Sequence, residues 1–312
     1  MKTVITHSSR FHADDVFGVA TLSLVFNGDI QVTRTRDESK FAAADIVLDV
    51  GGENDQARNR FDHHQKGGAG LHVEGIPYAS FGLVWKKFGP QAVREVMREV
   101  MHAEGHKDMD DAFIQTVADA VEKRLVLGVD ATDNGQNAFT ENSAARLYEF
   151  DDIAGVFGST WLEPERSQDS AFFELLPFFI AILRRQIKKS FASEEAKAIV
   201  AAAYATMPDK RLLILDKNYP LGSLEETYPE LLFVITPTPE DGTWKINTMR
   251  KESGMVAPRK PLPESWAGLR DADLAKVTGV PDARFCHNAR FVAVVGSLEG
   301  AKKMAELALN AE

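Results

Sequence analysis

Side chains that bind metal ions or transfer protons are concentrated in four short segments of the N-terminal half. They are His7, His12, Asp14, Asp15, Asp49, Asp62, His63, His64, Asp130 and Asp133. Mixed imidazole and carboxylate ligands suit Mn²⁺, Co²⁺, Zn²⁺ or Fe²⁺. Because Cys286 is the only cysteine, an intrachain disulfide and a thiolate zinc cluster are both excluded. The segments therefore predict a metal site built from oxygen and nitrogen ligands.

Asp49 is the best candidate for a carboxylate that bridges two metal ions. It stands just before the pair Gly51–Gly52, and a tight glycine turn lets the backbone approach the metals closely. In two-metal hydrolases the ions lie ~3.5–4 Å apart, and a water between them loses a proton readily at neutral pH. This segment therefore indicates hydrolytic chemistry.

Each segment also has a purely structural interpretation. The pair Asp14–Asp15 is typical of helix capping and of compensation of the helix dipole. Asp130 and Asp133, ahead of Gly135, are typical of a turn, and a single histidine such as His72 is typically a surface or structural residue. The combination favours metal binding, because burying so many ionisable groups without cations would be costly.

Strands and helices alternate around these segments. The β-like runs are Thr3–Thr6, Ile30–Arg34 and Ile46–Leu48, and helical patterns cover Val16–Phe26, Tyr78–Phe88, Gln91–Ala103 and Asp110–Leu127. This alternation predicts an α/β fold with a parallel sheet and helices on both faces. Ligands of such sheets bind beyond the carboxyl ends of the strands, where His7 and Asp49 follow their strands.

The second half of the chain changes character. A long helical pattern from Ser170 to Ala205 predicts a helix that joins two domains and is kinked at Pro177. The elements predicted after Pro208 are strands at Leu212–Leu215, Leu232–Ile235 and Trp244–Thr248 and an amphipathic helix at Glu299–Ala311. We expect the boundary between Ala192 and Lys210, and assign residues 1–195 and 196–312 to the two domains.

Composition and charge restrict the class of protein. The chain has 312 residues, of which 44% are hydrophobic and 26% charged, as in ordinary soluble domains. No apolar run approaches the ~20 residues of a membrane span, and the N-terminus has no signal-peptide core, so we expect a cytoplasmic protein. The net charge of −10 argues against extended binding of duplex nucleic acid, although not against a short single-stranded end in a cleft.

The motifs resemble, in content and order, those of the melanocyte-proliferating-gene (Myg-type) family of the DHH phosphoesterase superfamily. Asp62-His63-His64 is the superfamily's triplet, and the closer similarity covers THSSRFHADDVFGVATL, RTRD, ADIVLDVGG, RFDHHQ, GIPYASFGLVWKKFG, VDATDNG, PLPESWAGL and FCHNARF. The similarity runs from Thr6 to the final helix. It implies a DHH-type parallel-sheet N-terminal domain. The family is described both as a metal-dependent protein hydrolase and as a 3′-to-5′ RNA exonuclease.

The resemblance also implies roles for individual residues. The implied metal ligands are His7, His12, Asp14, Asp49, His63 and Asp130, with Asp133 competing for the last place. His12 stands where many members carry Asp. His64 would contact the scissile phosphate and protonate the leaving group, while Asp62 would orient a ligating imidazole. Two divalent cations are expected, Mn²⁺ first, with Co²⁺, Zn²⁺, Fe²⁺ or Mg²⁺ as alternatives.

Substrate contacts are predicted in both domains. Arg36 is assigned to the substrate, and His287, Asn288 and Arg290 resemble the family's substrate motif in the smaller α/β domain. Arg290 would grip a phosphate bidentately, and Phe291 would stack a base. The family form usually has Gly where Ala289 stands, so Arg290 can also be interpreted as a solvated strand residue.

The leading hypothesis is a two-metal phosphodiesterase, a 3′-to-5′ exonuclease on RNA or short oligonucleotides. Alternatives are a hydrolase of a small phosphorylated metabolite, nucleotide or pyrophosphate, a protein hydrolase, and a metal-stabilised binding module without turnover. The sequence leaves homodimer formation open.

Overall fold

Helices and strands alternate through the part of the chain that the computed structural model describes, residues 1–103, 110–136, 147–221, 224–251 and 257–311. The predicted α/β fold is confirmed. The chain divides into two compact units, Met1–Phe191 and Ala192–Glu312. A search of the described helices finds none that is long and apolar enough to cross a membrane.

The first unit is built on a five-stranded sheet. Its strands are β1 (Lys2–Thr6), β2 (Ile30–Arg34), β3 (Ile46–Leu48), β4 (Asn54–Asp55) and β5 (Arg60–Phe61). They lie in the order β2-β1-β3-β5-β4, and all neighbours are parallel except the β4–β5 pair. Because parallel strands end at the same edge, β1, β3 and β5 deliver the segments that follow them to one place. The sequence did not predict β4 and β5, since two-residue strands are too short to show a period.

Six α-helices begin in the described part of this unit. They are α1 (Ala13–Val25), α2 (Ser80–Ala103), α3 (Asp111–Val121), α4 (Leu127–Asp133), α5 (Phe150–Phe157) and α6 (Gln168–Thr206), with a π-helical turn at Glu122–Val126 between α3 and α4. Phe17 of α1 packs on Phe81 of α2, with ring centroids 5.1 Å apart, and on Phe179 of α6 at 4.4 Å. These contacts join the helices in one core.

The prediction of separate helices at Tyr78–Phe88 and Gln91–Ala103 is wrong. Both belong to α2, and Pro90 lies inside it. Proline removes one backbone donor, but the apolar face continues past it, with Val84 and Val93 completely buried. Tertiary packing therefore overrides the local break.

The second unit contains its own five-stranded sheet. Its strands are β6 (Leu212–Ile214), β7 (Phe233–Thr238), β8 (Thr243–Thr248), β9 (Ala283–Cys286) and β10 (Val292–Val295), in the order β6-β7-β8-β10-β9. Its helices are α7 (Leu224–Thr227), α8 (Asp271–Thr278) and α9 (Leu298–Asn310). Only β6 and β7 pair in parallel. The division between the units falls inside α6, so no turn or linker marks it.

Candidate metal centre

The loop after β1 and the first turn of α1 supply the first group of side chains. His7 and Asp14 are buried, and Asp15 of the same turn is completely buried. Asp15 Oδ1 accepts a hydrogen bond from the backbone N–H of His12 at 2.9 Å, so Asp15 caps the helix. Among the described residues, no hydrogen-bond partner faces either carboxylate oxygen of Asp14. Capping therefore accounts for Oδ1 of Asp15, whereas Oδ2 of Asp15 and both oxygens of Asp14 have no hydrogen-bond partner among the described residues.

Asp49 lies where β3 ends, in a left-handed backbone conformation with φ +53°. Non-glycine residues adopt this region at a cost and often do so at functional sites. The Asp49 carboxylate lies between two imidazoles: His7 Nε2 is 3.1 Å from Oδ2 and His63 Nε2 is 3.4 Å from Oδ1. Ser80 Oγ, at the start of α2, also donates to Oδ1 at 3.1 Å. The strained turn thus directs the Asp49 carboxylate toward imidazoles from two different segments.

Asp62 is fixed by backbone donors. It accepts hydrogen bonds from the N–H groups of Gly52 at 2.5 Å, His63 at 2.8 Å and His64 at 3.1 Å. Its Oδ1 also lies 2.7 Å from His64 Nδ1. Asp62 therefore holds the His64 ring. The His64 side chain is 63% exposed, so it can reach a substrate.

The last segment contains two aspartates, one helical turn apart on α4, whose surroundings differ. Asp133 Oδ2 is 3.2 Å from His63 Nε2. Asp130 is buried and its oxygens are already occupied: Oδ2 lies 2.8 Å from His72 Nε2 and accepts from Ala79 N, while Oδ1 accepts from Gly82 N. Of the two competitors, the structure brings Asp133 to the cluster and gives Asp130 a hydrogen-bonding role.

Four groups of three side chains have ligand atoms within 4.8 Å of one another in the described part of the chain. They are His7/His12/Asp49, Asp49/His63/His64, His12/Asp14/Asp133 and Asp14/Asp15/Asp49. Asp49 belongs to three of them. Together they contain every predicted ligand except Asp130. They offer more ligands than one cation needs.

The charges of this cluster are poorly compensated by protein groups. Burial raises the pKa of Asp14 well above its usual value, and the charges of Asp49 and Asp133 raise it further. Burial likewise raises the pKa of Asp15 to about 7. Burial opposes the charged form of His7, but its hydrogen bond with Asp49 and the nearby carboxylates raise its pKa overall. Unpartnered buried carboxylates are unfavourable, so this donor set fits divalent cations, which would neutralise it.

A cleft of about 300 Å³ borders the cluster. Its described lining comprises His7, His12, Arg36, Asp49, Val50, Gly51, Asp62 and His64. A guanidinium nitrogen of Arg36 lies 3.2 Å from His7 Nδ1. Arg36, predicted from the sequence to contact substrate, thus places positive charge at the wall of the cleft.

The predicted substrate residues of the second unit occupy the turn between β9 and β10. The backbone N–H of Ala289 donates to His287 Nδ1 at 3.0 Å, and the His287 and Phe291 rings are 4.2 Å apart. Asn288 is exposed. Arg290 has φ +59° and donates a weak 3.4 Å hydrogen bond to the Leu262 carbonyl. Cys286 is buried, and burial raises the pKa of its thiol to about 11, which favours an inert cysteine.

Sequence reasoning missed the supporting residues. Ser80 lies in one of the stretches that carry the resemblance but was given no role, and the roles of Ser80 and His72 depend on partners far away in sequence: Asp49 for Ser80, and Asp130 and Glu122 for His72. Asp15 was visible beside Asp14, but only the structure shows that one oxygen of Asp15 caps the helix while the other lies in a ligand group with Asp14 and Asp49.

Comparison with known proteins gives matches along nearly the whole chain. The family model MYG1_exonuc, described as Uncharacterised protein family (UPF0160), matches residues 3–309. Human "MYG1 exonuclease" is 30% identical over 332 residues, which cover 97% of this chain and 85% of that protein. The "MYG1 protein" of Chlamydia trachomatis is 29% identical, covering 99% of this chain and 97% of that one. A solved structure of exonuclease RecJ bound to manganese is similar over 100% of this chain and 91% of its own, at 12% identity and a TM-score of 0.27.

Proposed function

Since the chain belongs to the MYG1_exonuc family (UPF0160), we propose that it is a nuclease that uses two divalent cations to hydrolyse phosphodiester bonds. The proposed substrate is RNA or a short oligonucleotide, cleaved from its 3′ end as the family resemblance implies. One observation carries the proposal: the buried Asp49 carboxylate lies between His7 and His63 and belongs to three ligand groups. A carboxylate placed in this way suits two ions at once.

Seven side chains would hold the ions. They are His7, His12, Asp14, Asp15, Asp49, His63 and Asp133. Mn²⁺ is proposed first, because this mixture of imidazole and carboxylate suits it. When bound, the ions would polarise the phosphoryl group and make a water acidic enough to attack it. Asp130 is left out, because His72 and two backbone N–H groups already occupy its carboxylate.

His64 is proposed to act on the substrate. Asp62 engages its Nδ1 and so fixes the ring, which leaves Nε2 for the leaving oxygen. In the protonated ring Nε2–H would donate to that oxygen as the ester bond breaks. Asp62 is itself held by three backbone N–H groups, so the imidazole is oriented before substrate arrives.

Arg36 is proposed to bind a non-bridging phosphate oxygen. It lines the same cleft as His64 and the backbone of Gly51. A guanidinium can donate two parallel hydrogen bonds to phosphate. It would offset the negative charge that this acidic chain otherwise presents to an anionic substrate.

The size of the cleft supports a second candidate. At about 300 Å³, it lies at the low end of the ~300–1,000 Å³ typical of small-ligand sites. A dinucleotide, a nucleotide or another small phosphate ester would fit such a cleft, so hydrolysis of a small ester is the alternative function.

One experiment distinguishes these functions. Purified protein with Mn²⁺ is given an end-labelled RNA ladder, matched DNA, dinucleotides and pyrophosphate, and its bound metal is counted by elemental analysis. The proposal expects two ions and stepwise shortening of RNA from the 3′ end. Asp49→Ala should disturb both ions and abolish cleavage, which also excludes a contaminating nuclease. Release of product from small esters alone would favour the second candidate, and tight metal binding with no product would indicate a binding module.

A further inference from the structure

A second cavity lies in the first unit, separate from the cleft. It has a volume of about 260 Å³ and is lined by the π-helical turn, α4 and the start of α5, including Leu125, Gly128, Val129 and Tyr148. Among the described residues, no side chain lines both this cavity and the cleft. A Cβ atom built on Gly128 would meet nothing within 4 Å, so this glycine keeps one wall open.

The cavity and the metal centre are built partly on the same stretches of backbone. Ala13 lines it and stands between His12 and Asp14, both members of one ligand group. Thr132, on another wall, precedes Asp133 of the same group. Asp151 joins the two features, since it lines the cavity and its Oδ1 accepts a 2.6 Å hydrogen bond from the Ala13 N–H. A ligand in the cavity would therefore contact residues that directly neighbour His12, Asp14 and Asp133 in the chain.

The walls suit a flat ring with polar groups at its edge. Leu125, Val129 and Ile153 supply aliphatic surface, and Tyr148 supplies an aromatic ring that is 68% exposed. Carboxylates at Glu149 and Asp151 are acceptors for N–H or O–H groups. Apolar walls with a few convergent polar groups are typical of small-ligand sites.

We propose that this cavity binds the nucleoside of the nucleotide whose phosphate is held at the metal centre. The base stacks on Tyr148 against the aliphatic walls, and Glu149 and Asp151 accept hydrogen bonds from its amino or hydroxyl groups. The inference rests on the proposed function and adds where the substrate's base is held. The volume accommodates a single nucleoside, so only one base of a longer chain is recognised here.

The test measures equilibrium binding of a 5′-mononucleotide and of ribose 5-phosphate, which lacks the base, to the full-length protein loaded with Mn²⁺. Binding needs no turnover, so the result stands whether or not the protein cleaves RNA. Wild type should bind the mononucleotide one to two orders of magnitude more tightly, the scale of stacking a base on an aromatic side chain.

Gly128→Leu should fill the cavity and remove this difference. The variant should bind the mononucleotide only as tightly as it binds ribose 5-phosphate. Its affinity for ribose 5-phosphate should equal that of the wild type. Gly128→Ala is the matched control, since one methyl group leaves most of the volume and favours the helix. Tyr148→Ala should have a similar effect to Gly128→Leu, and Tyr148→Phe should retain the preference for the base.

The inference is overturned if wild type binds both ligands equally, or if Gly128→Leu weakens both by the same factor with its fold and metal content unchanged. The proposed function fails separately, if wild type cleaves no phosphodiester under the conditions in which these ligands bind.

Discussion

Asp49 and Asp62 belong to one small cluster of polar groups but have different hydrogen-bond partners. Asp49 faces the imidazoles of His7 and His63, whereas Asp62 is turned to the backbone and to His64. The adjacent histidines therefore make different contacts although they are neighbours in sequence. His63 Nε2 lies near the carboxylates of Asp49 and Asp133. The His64 side chain is more exposed, and its Nδ1 faces the Asp62 carboxylate.

His64→Ala tests this division. The variant should keep its fold and metal content, because Asp49 and Asp133 still have His63. Turnover should fall by roughly 10²–10⁴, the usual range for general acid–base assistance. Metal content by elemental analysis and single-turnover rates check it together. A variant that loses metal would make His64 a ligand, and another group would then have to protonate the leaving oxygen.

A second residue-level prediction compares the two aspartates of α4. Asp133→Asn should lose metal affinity and activity, because it removes a charged ligand beside His63. Asp130→Asn should keep the metal content and instead lower stability by about 1–3 kcal/mol, the cost of impairing a buried hydrogen-bonded group. Metal titration and denaturant unfolding of both variants separate the effects. The reverse pattern would return the ligand role to Asp130.

At the level of elements, His72 joins the loop after β5 to the π-helical turn and to α4, which carries Asp130 and Asp133. Its ring is buried, with Nδ1 2.7 Å from Glu122 of the π-helical turn and Nε2 2.8 Å from Asp130 of α4. The Asp130 carboxylate in turn receives the N–H groups of Ala79 and Gly82 at the start of α2. Gly82 is required there, since a Cβ atom would collide with Asp130. This network sets the position of α4, and with it Asp133.

The network predicts a pH-dependent stability. Burial lowers the pKa of His72, but its hydrogen bonds with Asp130 and Glu122 and their charges raise it to about 9. The pKa in the unfolded chain is ~6.5. Protonated His72 therefore stabilises the fold fully below pH ~6.5, and this contribution is lost as the pH rises through about 9. Burial raises the pKa of Asp130 to about 6, so its titration lies below this window.

Denaturant unfolding of the metal-free protein between pH 6.5 and 9 measures the effect. His72→Gln should cost roughly 3–5 kcal/mol at the lower pH, as for a broken buried ion pair, and the difference from wild type should shrink toward pH 9. His287→Gln, in the second unit, should follow wild type throughout. A difference that stays constant with pH would mean that His72 is neutral in the folded protein.

At the scale of the whole molecule, the second unit contains two arginines that are candidates for binding a substrate phosphate. Its turn between β9 and β10 presents Arg290 in a left-handed conformation, and the guanidinium donates a long hydrogen bond to the Leu262 carbonyl. Arg259, from the nearby basic stretch, is different: its guanidinium donates to the carbonyls of Tyr228, Pro229, Leu231 and Glu225. Arg259 is thus structural, and Arg290 is the better candidate for a substrate phosphate.

Arg290→Ala should raise KM for an oligonucleotide with little change in kcat, because a contact away from the scissile bond stabilises ground state and transition state alike. The expected loss is about 1–3 kcal/mol, the scale of a charged hydrogen bond, with no loss for a small ester. Alanine carries the same Cβ as arginine at this φ, so the turn is not further strained. The exposed Arg284 of β9 supplies the matched control, Arg284→Ala. Equal kinetics of wild type and Arg290→Ala on every substrate would reject the role of Arg290.

Much of the first unit follows from local sequence. The runs at Ile46–Leu48 and Thr3–Thr6 have the residue types and length of buried strands, and Gly51–Gly52 permits the turn after Asp49. Because strand and helix preferences act over a few residues, such patterns predict the α/β fold and place His7 and Asp49 at strand ends. The triplet Asp62-His63-His64 is likewise complete within three positions.

Only the tertiary structure decided how neighbouring candidates differ. Asp130 and Asp133 are equally plausible metal ligands in the sequence. In the structure they differ because His72, which is far away in sequence, contacts the carboxylate of Asp130. The Asp62 carboxylate is held on its second side by Gly52, ten positions earlier in the chain, whose N–H donates to Oδ2 while Oδ1 faces His64 Nδ1. Pro90 reads as a helix break, yet apolar contacts on both sides keep α2 continuous. In each case the deciding partner lies outside the local window, so burial and hydrogen bonding between distant segments set the outcome.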